Sequence, residues 1–162
     1  MRTRVRPNAT RGGIRPATPN VFASRTGWPE GIDRNIVTTD FERERTVDEE
    51  RFVARTVAET DRATVALGYF EPGQFIPVHT PDSDVVIAIE AGRGRVRDGD
   101  RDRPVEPGDI AVVPAGRSRG VRAASDGRLE ALLLTAPPPT DEEHDPVRRG
   151  LERGEFEPTL PE

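Results

Sequence analysis

The feature that most constrains this chain is the rhythm of its turns. Between residues 51 and 136, short apolar runs rich in β-branched residues recur about every ten positions. They read "RFVARTVAE", "RATVALGYF", "FIPVHT", "DVVIAIE", "GRVRD", "RPVE", "DIAVVP", "RGVRAA" and "RLEALLLT". Turn residues divide them: "EPGQ" at 71–74, Asp98-Gly99, Pro107-Gly108-Asp109, Ala115-Gly116 and Asp126-Gly127. Runs this short, with no long helical pattern between them, predict an all-β fold, a single antiparallel β-barrel or jelly roll, and argue against βαβ units. Proline cannot donate to a ladder, which puts Pro77, Pro81 and Pro114 at edges, bends or strand ends.

The pattern changes at both ends. After "APPPT" a short C-terminal helix is predicted, with the tail, over 141–162. Thr140 and Glu143 make a capping-box pattern, while Asp145-Pro146 reads as the better start; Val147 and Leu151 share a face and Gly154 is the stop. Such a helix is expected outside the barrel or on a partner chain. At the other end, residues 1–34 carry seven arginines against Glu30 and Asp33, a net of +5, whereas the remaining 128 residues carry a net of −10. The first twenty residues mix Pro, Gly and isolated apolar residues without period. Residues 1–35 therefore read as a basic, disordered arm preceding a domain over 36–140 with its core at about 51–136. Arginine beside Gly12-Gly13 is a weak nucleic-acid pattern, but the arginines are scattered and aromatics sparse, so nucleic acid is not the expected partner. Trp28 is expected to anchor the arm onto the barrel.

Composition removes several chemistries. There is no cysteine, so disulfides and thiolate metal sites are out, and only His79 and His144 supply imidazole. All 24 basic residues are arginine, as a GC-rich genome or, less simply, a salt-adapted cytoplasm would give. No apolar run reaches the ~20 residues of a membrane helix, and no apolar segment follows the basic start as in a secretory signal. A cytoplasmic protein without a membrane partner is expected.

Two spaced patterns then stand out. Gly73, five residues, His79, with Pro81, Asp84 and Gly92 following, is one; Gly108, five residues, Pro114-Ala115-Gly116, two residues, Arg119 is the other. Over roughly 51–136 the chain resembles the cupin superfamily, whose RmlC-like jelly roll carries both patterns. The resemblance implies His-x-His and a glutamate in the first motif and a histidine closing the second. Here Pro81 replaces the second histidine, Asp84 the glutamate and Arg119 the last histidine, and the turn glycine comes one residue late. The structural residues of the second motif all match.

The resemblance implies a site of three histidines and one carboxylate. This chain offers only His79 and Asp84 at those positions, with the fixed cation of Arg119 opposite, which is too few ligands for a tightly held zinc or iron. Neither metal nor cofactor is expected. His144, in the tail, and Glu90, at a turn, are the remaining donors that could reach in. If His79, Asp84 and Arg119 point inward together, they suit a small anionic molecule in the barrel mouth, with His79 as acid or base, Asp84 orienting it and Arg119 clamping the anion. Each residue has a plainer role open to it: His79 as a hydrogen-bonded interior histidine, Asp84 as a turn cap, Arg119 as a solvated loop arginine. Alternative functions are a divergent metal-dependent cupin enzyme, dioxygenase- or isomerase-like, and a structural or regulatory barrel module with no ligand. A homodimer is expected because sheet edges and small barrels tend to pair.

Overall fold

The structure, a computed structural model, describes residues 37–157. The arm expected over 1–35 lies outside the described residues. A short helix α1 (Phe41–Glu44) precedes nine strands: β1 (Val53–Glu59), β2 (Thr64–Phe70), β3 (Phe75–His79), β4 (Asp84–Gly92), β5 (Gly94–Asp98), β6 (Arg101–Val105), β7 (Ile110–Val113), β8 (Arg119–Ala123) and β9 (Leu129–Ala136). Helix α2 (Asp141–Arg153) ends the described fold. Each strand falls on one of the apolar runs. All pairings are antiparallel, in a five-stranded sheet of order β1-β2-β9-β4-β7 and a four-stranded sheet of order β3-β8-β5-β6.

The two sheets stack as a jelly-roll sandwich and do not close into the barrel that the turn spacing allowed. At the edges β7 pairs only with β4, and β6 only with β5. Period-two alternation sends Ile87 and Ile89 of β4, Val96 of β5, Val121 and Ala123 of β8 and Leu129, Ala131 and Leu133 of β9 inward to one core. Phe52 and Phe70 stack within it, centroids 5.3 Å apart. Turns hold the register. Gly92 has φ +80°, and a Cβ there would lie 1.7 Å from the Arg128 carbonyl oxygen, so only glycine fits between β4 and β9.

The outer face of the five-stranded sheet is apolar as well. Val65, Leu134, Val86 and Val112 pair in one row across four strands, and Leu67, Leu132, Ala88 and Ile110 in the next. At one side the segment before β1 lies over this face. The Tyr69 hydroxyl donates to the Phe41 carbonyl at 2.8 Å, Arg45 pairs with Glu130 at 2.8 Å, and Arg55 pairs with Glu44. Burial, and then the Glu130 charge, push the Tyr69 phenol up to about 12.

The four-stranded sheet is covered by α2 and the residues after it. Val147 is fully buried, and Gly150 packs so closely on Pro77 that an added Cβ would meet its ring at 2.5 Å. The Val78 amide donates to the Phe156 carbonyl, and Phe156 sets its ring edge-on to Phe75. The helix thus lies against β3 of its own chain. It starts at Thr140, not at Asp145-Pro146: the Thr140 side chain accepts from the Glu143 amide and Glu143 answers to the Thr140 amide, so the full capping box outweighs Pro146, which sits inside the helix.

Candidate functional site

The strands bring the two motifs together at one end of the sandwich. His79, the last residue of β3, pairs across the ladder with Arg119, the first of β8, so the two side chains share a face. A bulge between Ile76 and His79 lets both residues keep the inward face despite the extra residue in β3. The Pro114–Gly116 turn is fastened to the loop between β3 and β4. The Gly116 amide donates to the Pro81 carbonyl at 2.9 Å, the Ala115 amide to Asp84 Oδ1 at 2.8 Å, and Thr80 and Ser118 share a hydroxyl contact at 2.9 Å. Gly116, at φ +77°, is where this turn requires a glycine.

Arg119 is buried, 6% exposed, and its guanidinium crosses from the four-stranded sheet to the head of β4. There Nη1 donates to the Ser83 carbonyl at 2.5 Å and Nη2 to the Ser83 hydroxyl at 3.1 Å. Both partners are neutral. Among the described residues no carboxylate approaches the guanidinium within 4.0 Å in an ion pair. Burial lowers its pKa to about 10, opposed at longer range by Glu143 and Asp84.

His79 stands beside this cation with Nδ1 at 2.9 Å from the Pro77 carbonyl, which fixes Nδ1 as the protonated nitrogen and leaves Nε2 as an acceptor. Burial is the main force lowering its pKa to about 4; Arg119 and His144 add to it, while the Pro77 bond and Glu143 oppose it. At neutral pH this is an uncharged imidazole. Asp84 is exposed, and its placed hydrogen bond is the one that caps the Pro114–Gly116 turn. It therefore stands near Arg119 as a distant charge, not as the partner of the His79 ring.

Two further groups come from α2: Glu143, which the sequence did not place here, and His144, which it left as a donor that could reach in. Glu143 accepts from the Asp82 amide through Oε1 at 2.7 Å and from the Thr140 amide through Oε2 at 2.6 Å. Burial works against its charge, but these amides hold its carboxyl below the ordinary range. His144 follows in the same turn, half-buried, with its pKa lowered first by burial and then by Arg148. It is near enough for its charge to act on His79 and Arg119, so it is not a remote tail residue. The capping-box signal could have located Glu143, had that start been preferred. Nothing in the sequence marks Ser83. Glu90 is exposed on the outer side of β4.

The donor set does not fit a bound metal. His79 offers one lone pair, at Nε2, Pro81 has no donor, Arg119 sets a cation at the third position, and no group of three or more His, Asp or Glu side chains is placed to hold an ion among the described residues. A cleft of about 430 Å³ opens on the rim between Thr80, Asp82, Pro138, Glu142 and Pro146. Its charged side chains, Asp82, Glu142 and Glu143, are all acidic, and neither His79 nor Arg119 lines it.

Comparison with known proteins agrees with this fold. The model of the cupin domain family matches residues 66–135. A solved structure, TT1209 from Thermus thermophilus, is 32% identical, covers 62% of this chain and 96% of its own, and superposes with a TM-score of 0.60. An RmlC-like cupin protein from Desulfovibrio desulfuricans is 29% identical, over 64% of this chain and 99% of its own, with a TM-score of 0.57. The polyketide cyclase RemF from Streptomyces resistomycificus shares the fold at 20% identity and a TM-score of 0.50, over 56% of this chain and 70% of its own. No curated protein matches.

Proposed function

Because the chain belongs to the cupin superfamily, with degenerate metal-binding motifs, we propose that it binds a small anionic molecule at the mouth of the sandwich without a tightly bound metal. A single observation carries this proposal: Arg119 takes the position of the last motif histidine, lies buried, and among the described residues its guanidinium bonds to the neutral carbonyl and hydroxyl of Ser83 and to no carboxylate. A buried guanidinium without a contacting carboxylate is costly, and a ligand carboxylate or phosphate would relieve that cost through the planar fork. Neutral His79 beside it offers the Nε2 lone pair to a hydroxyl or a protonated oxygen of the same ligand. The site is closed in this state, since Arg119 is almost inaccessible. Entry therefore requires the first turn of α2 to part from the 80–83 loop, where Glu143 holds the Asp82 amide.

Thermal-shift titration with oxalate, succinate and inorganic phosphate, each against a neutral amide or alcohol of matched size, tests the proposal. Anions should raise the melting temperature more than their neutral counterparts at equal ionic strength. Equal responses would leave a ligand-free barrel module as the better account.

No helix among the described residues is long and apolar enough to cross a membrane.

A further inference from the structure

The two sheets have four edge strands, β1 and β7 in one, β3 and β6 in the other. An open edge offers unpaired amides and carbonyls to any other strand unless something guards it. Three of these edges are guarded. On β3 the Val78 amide donates to the Phe156 carbonyl at 2.7 Å, and Gly150 of α2 packs on Pro77. Strand β6 reads Arg101-Asp102-Arg103-Pro104-Val105, charged and carrying a proline that has no amide to offer. Strand β1 is broken by a bulge between Thr56 and Ala58, and its Arg55 is held by Glu44. Among the described residues β7 has none of these devices. It reads Ile110-Ala111-Val112-Val113 and pairs on one side only, with β4. Ile110 and Val112 are 69% and 62% exposed, more than any other large apolar side chain among the described residues.

We propose that β7 pairs with β7 of a second copy of this chain, antiparallel about a twofold axis at Ala111, so that the two five-stranded sheets become one continuous sheet. The register follows from parity. Residues directly opposite each other in a ladder share a face. Ala111 and Val113 face the core while Ile110 and Val112 face outward, so the axis passes through a residue and not between two. An axis at Val112 would set Ile110 against Pro114, which lacks an amide, and an axis at Ile110 would set Val112 against Gly108. The axis at Ala111 sets each Ile110 against the partner's Val112, which pairs both exposed side chains at once. The row Val65–Leu134–Val86–Val112 then runs on into the partner's Ile110–Ala88–Leu132–Leu67 with no charge at the junction. This self-match is what points to a second copy, because a twofold interface must be complementary to itself. Four residues a side make a small interface, so the association is weak and depends on concentration.

In sedimentation velocity the full-length protein should pass from monomer to twice that mass as its concentration rises from micromolar to submillimolar. The paired substitution Ile110→Glu and Val112→Glu, at positions already exposed, should hold the monomer mass throughout while unfolding stays cooperative. Arg101→Ala, on the guarded β6 edge, should leave the dimer as it is. The chain has no cysteine, so single cysteines report the register. Under mild oxidation an equal mixture of Ile110→Cys and Val112→Cys chains should give several-fold more disulfide-linked dimer than either variant alone. A monomer at every concentration, a dimer that the glutamate pair leaves intact, or cross-linking of either cysteine variant alone in preference to the mixture would overturn the proposal.

Discussion

His79 and Arg119 face each other across the β3–β8 ladder, one an imidazole kept neutral, the other a cation kept from any contacting carboxylate. After burial, the Arg119 charge further discourages protonation of His79. Pro77 and Ser83, both neutral, take their hydrogen bonds.

That arrangement makes stability fall in mild acid. His79 titrates at about 4 folded but near its ordinary 6.5 unfolded, so between those values the unfolded chain binds more protons. Stability is full above pH 6.5 and declines as pH drops towards 4, by about 2 to 3 kcal/mol from this group. Urea unfolding from pH 7.5 to 4.0 should show the slope, and His79→Gln should flatten it. His144, whose pKa is also lowered, supplies a residue of the slope that His144→Gln removes.

Arg119→Gln should abolish the preference for anions over neutral ligands in the thermal-shift comparison. The amide can still donate to Ser83, so stability without ligand should stay within about 1 kcal/mol of the parent. A variant that keeps the anion preference would place the cation that binds anions elsewhere.

Glu143→Ala removes the tie between α2 and the 80–83 loop together with half of the capping box. It should cost about 1 to 2 kcal/mol of stability and tighten the apparent affinity for anions, because the closed mouth opens more readily. Loss of affinity by calorimetry would mean that Glu143 serves the bound state.

Gly150→Ala drives a methyl into Pro77. It should destabilise the protein by about 1 to 3 kcal/mol in chemical denaturation, through overpacking between α2 and β3. An unchanged midpoint would mean that α2 does not dock on this strand in solution.

Trypsin offers a simple reading of the N-terminal region. Cleavage after the arginines of the expected arm, up to Arg34, should be fast and leave a resistant product that mass spectrometry starts near residue 35. Slow cleavage after Arg25 and Arg34 would set the domain boundary earlier.

The strands were legible because turn chemistry and alternation both act over a few residues: every run between "RFVARTVAE" and "RLEALLLT" became a strand. Closure was not legible, since whether β7 and β6 find further partners depends on sheet twist and spacing over the whole domain. The same divide runs through the site. The motif spacing put His79 and Arg119 on one face, but a side-chain bond such as Asp84 to the Ala115 amide is settled by the fold of a loop thirty-one residues away. Glu143 and His144 reach the mouth because α2 doubles back on β3. That was hidden by the local appeal of Asp145-Pro146 as a start, an appeal the capping box at Thr140 outweighs.

The carboxylate of Glu143 accepts from two amides that belong to different parts of the chain, Thr140 at the head of α2 and Asp82 in the loop beyond β3. Whatever frees one is positioned to free the other. Fraying of the helix end and unsealing of the mouth then become a single event with a single rate, and the amide protons of residues 82 and 140 should exchange with solvent in step. A binding site shut in this way has its clock set by the first turn of a helix.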